Sequence, residues 1–376
     1  MSVDFLIEGK TFKMPDNFNA LDTFTVNSVP RPYNVSIKYD GAPVKELQAL
    51  MDANKNNLLL IDANVYNLYY KDLKVDAKRI FIADATEEFK TLDGVTKVIA
   101  FLEENDFTKT EKLYVIGGGI IEDVGAFVGA VYKRGIKWVY YPTTLLSMCD
   151  SCIGGKTGIN HNKAKNQLAL FSAPAEVIIN TAFLKTLTDY HIKSGMGEIL
   201  KLLVTGGAKP LQVYIDSVEN GKAKTFDAYK TLIMSSLAVK RAVVEEDEFE
   251  LNHRRSLNYG HTVGHAIEVL SNYEIPHGQA VIIGMVIVNK LSKNRNILND
   301  ADYELTQRLS KELLGPSLVK QVSLDGLNKL LKKDKKTEGN LVNFVIISKL
   351  GDTQFLKLPL DENLFNEISE AIQKEF

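Results

Sequence analysis

The stretch YVIGGGIIEDVGAFVGAVY, Tyr114 to Tyr132, decides the reading of the first half of the chain. An apolar run ends in three glycines, Gly117 to Gly119, and a helix-like pattern follows, so the stretch predicts strand, tight turn and helix. Glycines at such a turn let backbone approach a pyrophosphate, and the helix N-terminus behind them favours its negative charge. The spacing is not the G-x-G-x-x-G fingerprint, so a plain glycine-rich strand-to-helix turn is the competing reading.

Working outward, NVSIKYD, NNLLLIDANV, RIFIAD, IKWVYYPTT and AEVIIN are further strand candidates between about Val35 and Asn180, and helical stretches separate them. Several are too apolar to carry a wet face, which predicts a mainly parallel sheet covered by helices. In LIDANV, Asp62 and Asn64 follow a strand and suit ribose hydroxyls, although an acid at a strand end is common. After about Lys185 helical spacing takes over; Tyr229, Leu232, Ile233, Ser236, Leu237 and Lys240 share one side of a predicted helix. Two domains are therefore expected: an α/β domain over residues 1–185, and a mostly α-helical domain over 186–376. Residues 1–30 have weak patterns and read as an appendage or an edge strand.

Composition narrows the function. The 376 residues are 45% apolar and 24% charged with a net charge of -2, which argues against a general polyanion binder and so against a nucleic-acid partner. The longest apolar run, Ala280 to Val288, is far short of the roughly 20 residues of a membrane span. The first residues carry acids and lack a basic flank before an apolar stretch, so no secretory signal and a cytoplasmic, reducing location are expected. The two cysteines, Cys149 and Cys152, stand in MCDSCIGGKTGIN, which reads either as a redox motif or as an anion loop ending at Lys156.

Three of the six histidines fall in NYGHTVGHAIEVLSNYEIPHGQ. His261 and His265 are four apart and share a predicted helix face, and His277 follows a loop. Imidazoles with a carboxylate make a plausible zinc set; Glu198, an acid in the small and apolar SGMGEILKLL, is the candidate because an unpaired acid there is costly. Arg254, Asn258, His261 and His265 form one polar stripe if a single helix runs through them. Gly260 and Gly264 each cost that helix about 1 kcal/mol, which hints at close packing.

Taken together and in order, DANV, EEFK, GGGIIEDVGAFVGAVYKRG, PTTLLSMCDSCIGGKTGIN, AKN, GEILK, AVVEEDEFE, RRSLNYGHTVGHAIE, PHGQAV and KKDKK resemble the sugar-phosphate cyclases, most closely the 3-dehydroquinate synthase branch, from about Val35 to Gly351. The resemblance implies a Rossmann-like NAD-binding α/β domain, a helical metal-binding domain, a sugar-phosphate substrate and a homodimer. It implies NAD contacts at Asp62, Asn64, Glu87, Lys90, Gly118, Gly119, Asp123, Thr143, Thr144, Lys165, Phe183 and Thr186. It implies zinc, with cobalt as an alternative, on Glu198, His261 and His277, leaving His265 to handle protons. Arg134, Asp150, Lys156, Asn166, Lys201, Lys240, Arg254, Asn258 and either Lys335 or Lys336, with Lys165 on the border, are the implied substrate and phosphate groups. Neither cysteine belongs to the shared pattern, so MCDSCIGGKTGIN becomes an anion loop carried by Asp150, Gly154, Gly155 and Lys156.

The implied chemistry is transient oxidation of a hydroxyl by NAD, loss of phosphate, return of the hydride, and intramolecular aldol closure. The rival readings are a sister cyclase taking sedoheptulose 7-phosphate or glucose 6-phosphate, a metal-dependent alcohol dehydrogenase, and a non-catalytic NAD sensor. A plain dehydrogenase has no need of the Lys156, Lys165, Lys201, Lys240 and Arg254 set. AKNQLALFSAP, the missing aromatic after the lysine of GEILKLLVTGG, and His191 depart from the branch pattern and bear on the choice of sugar phosphate.

Overall fold

The computed structural model describes residues 2–38, 41–162, 164–219, 225–314, 324–331, 337–338 and 340–376. Contacts divide the chain into two units, one built from residues 20–187 and 225–230, the other from 2–19, 188–219 and 231–376.

The first unit is built on a seven-stranded sheet. In spatial order the strands are Thr23–Val26, Tyr33–Lys38, Glu176–Asn180, Lys137–Pro142, Lys112–Gly117, Leu58–Asp62 and Ile80–Ala83. All neighbours pair in parallel except Thr23–Val26, which runs antiparallel at one edge. Leu58–Asp62 is buried at every position, as its unbroken apolar run requires of a strand covered on both faces. The helix Gly119–Val131 lies close on the sheet because Gly125 has no side chain: a Cβ there would sit 2.6 Å from Val115 Cγ1.

Strand order also locates a crevice. The chain leaves Leu58–Asp62 toward Ile80–Ala83 on one side, but leaves Lys112–Gly117 toward Lys137–Pro142 on the other. Crossovers diverging from two adjacent strands leave an opening at their carboxyl ends, where open α/β sheets bind ligands. Asp62 and the glycine turn stand at those two ends.

The second unit is helical, as expected, but not only so. A five-stranded sheet of Thr337–Glu338, Leu341–Lys349, Asp352–Pro359, Ser2–Ile7 and Lys10–Pro15 joins its helices. Residues 2–15, expected in or beside the first domain, pair here instead: Leu6 and Ile7 align in parallel with Asp352 and Thr353. Phe5, Ile7, Phe12 and Met14 explain this, since alternating apolar residues make two half-buried strands that need a core to cover them. Thr23–Val26 is the edge strand of the first unit, so the edge-strand reading of the opening 30 residues fits this part of them.

The helix His277–Asn294 is the axis of this unit. It contains the longest apolar run and is buried on nearly all sides, as a helix apolar all round must be. Of its buried amides, Asn289 is satisfied by Tyr259 Oη and by Thr306 Oγ1. Among the described residues no helix is long and apolar enough to cross a membrane.

Candidate functional site

In the first unit, the predicted nucleotide residues gather around the crevice. Gly118 caps the helix Gly119–Val131. A Cβ on Gly118 would press on Thr144 Cγ2 at 2.9 Å, whereas one on Gly119 would meet nothing within 4 Å, so backbone lies open to a ligand there. Thr143 donates its N–H to the Gly117 carbonyl at 3.0 Å, and Thr144 Oγ1 donates to Ser147 Oγ at 2.9 Å. Asp62 Oδ1 accepts from the Asn64 and Val65 N–H groups at 2.7 and 3.2 Å, fixing the turn after its strand. The Tyr69 hydroxyl bridges to Thr186 Oγ1 at 2.8 Å while its ring meets Phe183 edge-on. Open backbone at a helix N-terminus between two diverging crossovers fits a dinucleotide.

Glu87, Lys90, Asp123, Lys165 and Asn166 form a network around Asn160, a residue that no local pattern in the sequence marks. Lys165 pairs with Glu87 at 2.6 Å, and Asn160 Nδ2 donates to the same carboxylate at 2.7 Å. Asn160 also donates its N–H to the Lys90 carbonyl and accepts from the Asn166 N–H. Lys90 pairs with Asp123 at 2.5 Å, and Asp123 Oδ1 accepts from Gly158 N–H. Burial pushes Glu87 upward, but hydrogen bonds from Lys165 and Asn160 outweigh it and hold the carboxyl below its ordinary value. Burial dominates at Asp123 and raises it, Lys90 notwithstanding. The hairpin Lys156–His161 and Ala164–Phe171 is thereby tied to the helix that follows the glycine turn.

One expectation is modified here. Arg134 is exposed in the turn after the far end of Gly119–Val131, a helix of 13 residues, so about 20 Å separate it from the glycine turn. Within its unit the fold does not bring Arg134 to the crevice. Cys149 and Cys152 are buried thiols outside any disulfide, each 3.5 Å from a backbone carbonyl, of Leu146 and Met148 respectively. Asp150 sits in the turn Ser147–Ser151, half-buried, and Lys156 is exposed at the start of its strand after Gly154 and Gly155, whose φ of 93° and 62° need glycine.

In the second unit, three helices bring four donors together. Glu198 is 1% exposed on Asp189–Gly206, His261 and His265 lie on His261–Leu270, and His277 opens His277–Asn294. Glycines permit the approach. A Cβ on Gly278 would meet Ser194 O at 1.8 Å, one on Gly260 would meet Val281 O at 2.5 Å, and one on Gly264 would meet Ala280 O at 2.9 Å. The close packing inferred at Gly260 and Gly264 is thus packing against the His277 helix.

His277 Nε2 lies 3.4 Å and His261 Nε2 3.7 Å from the same oxygen, Glu198 Oε1. The three imidazoles each offer a nitrogen within 4.8 Å of the others. His261 Nδ1 stands 3.2 Å from the Tyr259 carbonyl and His277 Nδ1 3.0 Å from Glu268 Oε2. Both acceptors call for a proton on Nδ1, which leaves the Nε2 lone pairs facing a carboxylate oxygen. Such an arrangement is repulsive without a positive charge between the atoms, so it suits a divalent cation. Burial opposes charge on His277, but Glu198 and Glu268 outweigh it and raise the imidazole to about 10, which again marks a place built for positive charge. Lys201, 2% exposed, comes within 2.5 Å of Glu198 Oε2 without forming an aligned hydrogen bond.

The single polar stripe does not form. Arg254 and Asn258 lie on a 3-10 segment, His253–Asn258, and Gly260 at φ 78° breaks the chain before the helix begins at His261. Arg254 is buried with Nη1 on the Glu248 carbonyl, Asn258 donates to Glu250 Oε1 at 2.9 Å, and Lys240 is buried on Phe226–Val244. Lys335 and Lys336 lie outside the described residues.

Asp247, also unnoticed in the sequence, organises the Arg254 segment by accepting the N–H groups of Leu251, Asn252 and Arg254 at 2.9, 2.8 and 2.9 Å. Burial pushes its carboxyl upward, yet those three donors hold it below 3.8. Its contribution to stability is therefore complete above about pH 4 and fades as pH falls through the depressed value. Asp247→Ala is expected to cost about 3 kcal/mol in urea unfolding at pH 7 by stranding these donors. The gap from wild type should narrow in acid; a gap that widens there would contradict this account.

Known proteins resemble this chain in sequence and in fold. Residues 80–194 match the family model for the 3-dehydroquinate synthase N-terminal domain and residues 195–337 the one for its C-terminal domain. A 3-dehydroquinate synthase of Prochlorococcus marinus is 33% identical over 361 residues, covering 91% of this chain and 95% of its own. Among solved structures, a 2-deoxy-scyllo-inosose synthase complexed with carbaglucose-6-phosphate, NAD+ and Co2+ superposes with a TM-score of 0.75 at 21% identity, over 94% of this chain and 99% of that one. The 2-epi-5-epi-valiolone synthase of Streptomyces hygroscopicus with NAD+ and Zn2+ bound gives 0.73 at 24%, over 91% and 96%. The two solved structures share the fold, and the sequence relative and both family models fix the lineage: the chain belongs to the 3-dehydroquinate synthase family of enzymes.

Proposed function

We propose that the chain converts 3-deoxy-D-arabino-heptulosonate 7-phosphate to 3-dehydroquinate and phosphate, with NAD and a divalent cation, zinc or cobalt, as cofactors, acting in the cytoplasm as a homodimer. The observation that carries this reading is the convergence of His261 Nε2 and His277 Nε2 on Glu198 Oε1, with the buried Lys201 beside it. Glu198, His261 and His277 would hold the cation, and the crevice lined by Asp62, Gly118, Gly119 and Thr144 would hold NAD. When bound, the cation supplies Lewis acidity toward a hydroxyl or carbonyl oxygen, and NAD takes up and returns a hydride.

The chain's own groups do the rest. Lys201 offers an ammonium in dry surroundings, where its attraction for an anionic oxygen is much stronger than in water. Arg254, fixed by the Asp247 turn, contributes a planar guanidinium suited to carboxylate or phosphate. His265, the exposed member of the imidazole cluster, is placed to exchange a proton with substrate or solvent. Holding the opened chain in one orientation serves the aldol closure, since proximity of two groups of one molecule lowers that barrier more than added basicity.

The test is phosphate release by the NAD- and zinc-loaded protein with 3-deoxy-D-arabino-heptulosonate 7-phosphate in one vessel and sedoheptulose 7-phosphate in another. Phosphate from the first alone, without net NADH, is the expected result. Phosphate from the second alone would assign the chain to a sister cyclase, and net NADH without phosphate to a dehydrogenase.

A further inference from the structure

The two imidazoles that face Glu198 are held from behind in different ways. His261 Nδ1 meets a neutral acceptor, the Tyr259 carbonyl at 3.2 Å, whereas His277 Nδ1 meets a carboxylate, Glu268 Oε2 at 3.0 Å. Glu268 is seven residues beyond His261 on His261–Leu270, so that helix carries one of the two imidazoles facing Glu198 and also the group that aims the other, on the next helix. The connection between the helices is shaped for this contact. Asn272 and Tyr273 take left-handed φ values of 48° and 63°, Tyr273 N–H returns to the Glu268 carbonyl at 3.0 Å, and the Tyr190 hydroxyl closes on the Tyr273 carbonyl at 3.2 Å. Strained backbone of this kind persists where its surroundings over-determine it.

We infer that Glu268 is a positioning residue: its carboxylate fixes the His277 tautomer with Nε2 toward Glu198 and strengthens that nitrogen as a donor, thereby setting how tightly the cluster holds a divalent cation. A charged acceptor behind a ligating imidazole raises its donor strength more than a neutral carbonyl does, and the extra negative charge favours a cation in its own right. The inference rests on the reading of Glu198, His261 and His277 as a cation site.

The experiment uses the full chain, stripped with a chelator and titrated with Co2+. Affinity is read by competition with a chromophoric chelator, geometry by the visible absorption of bound Co2+, and folding by the melting temperature of the stripped protein. Glu268→Ala is expected to weaken Co2+ binding about 10- to 100-fold and to alter the absorption bands. Glu268→Gln, which keeps an oxygen acceptor but loses the charge, should fall between Glu268→Ala and wild type. Both stripped variants should melt close to stripped wild type. Co2+ binding by Glu268→Ala within about twofold of wild type, with unchanged bands, would overturn the inference. A loss of affinity matched by a fall in the melting temperature of the stripped protein would overturn it too, since the residue would then act on the fold. If wild type itself takes up no Co2+, the cation-site reading fails, and that outcome is separable from a variant that binds normally.

Discussion

Phosphate release by His261→Ala is expected to fall at least about a thousandfold, with the bound cation lost on dialysis. His261 is one of two imidazoles whose Nε2 atoms face Glu198 Oε1, at 3.7 and 3.4 Å, and alanine leaves one imidazole and one carboxylate facing each other. A Lewis acid at a developing charge is worth several kcal/mol, and about 4 kcal/mol corresponds to about a thousandfold in rate. A loss of affinity alone would be reversed by adding zinc, because a weakened site still fills at high concentration. Little reversal is expected, because the removed ring also stands 5.2 Å from His265 and 5.3 Å from His277, centroid to centroid, and holds their arrangement. The measurement is phosphate release against zinc concentration for both proteins. Full wild-type turnover at saturating zinc would show that His261 only concentrates the metal, and undiminished turnover without added zinc would refute the assignment of the site.

Gly278→Ala is expected to destabilise the protein by about 3 kcal/mol, against the propensity scale. Alanine in place of glycine in a helix normally gains about 1 kcal/mol. Here the added Cβ would lie 1.8 Å from Ser194 O and 2.7 Å from Ser194 C, and backbone cannot swing aside as a side chain can. The helices Asp189–Gly206 and His277–Asn294 must move apart, and overpacking of that kind costs about 1–3 kcal/mol, sometimes more. The steric effect wins because the neighbouring surface is closed as well: a Cβ on Gly197 would meet Gly278 O at 2.3 Å. Urea unfolding should show a lower midpoint at unchanged slope. Separation of the helices also draws His277 from Glu198, so Co2+ affinity should fall in the folded variant. A variant as stable as wild type would mean that the helices have room the packing does not show.

The legible parts of this protein were the ones governed by local pattern. The buried strands announced themselves as unbroken apolar runs such as Leu58 to Ile61, because a strand covered on both faces can afford no polar position. The turn at Gly117 to Gly119 was visible for the same local reason, since a tight bend with open backbone at Gly119 calls for residues without side chains. The residues 2–15 were not legible: their alternation says that one face is buried, but the partner is a strand more than 330 residues away, and nothing local encodes that distance.

In the candidate site the division falls along the same line. Sequence alone determined the chemical types present, two imidazoles four apart with a third beyond a loop, an acid in an apolar helix, and glycines where helices pack, because composition and helical period are properties of neighbours along the chain. It overextended one of them, carrying a polar stripe through Gly260, where a left-handed φ ends the 3-10 segment and a new helix starts. Glu268 was legible in principle, seven residues after His261, but helical spacing could not say which imidazole it serves. Tertiary structure decided that Glu268 reaches His277, that Asp247 gathers the turn carrying Arg254, and that Asn160 ties Glu87 to the Lys90 backbone, because each is a contact between segments whose meeting depends on how whole helices and strands pack.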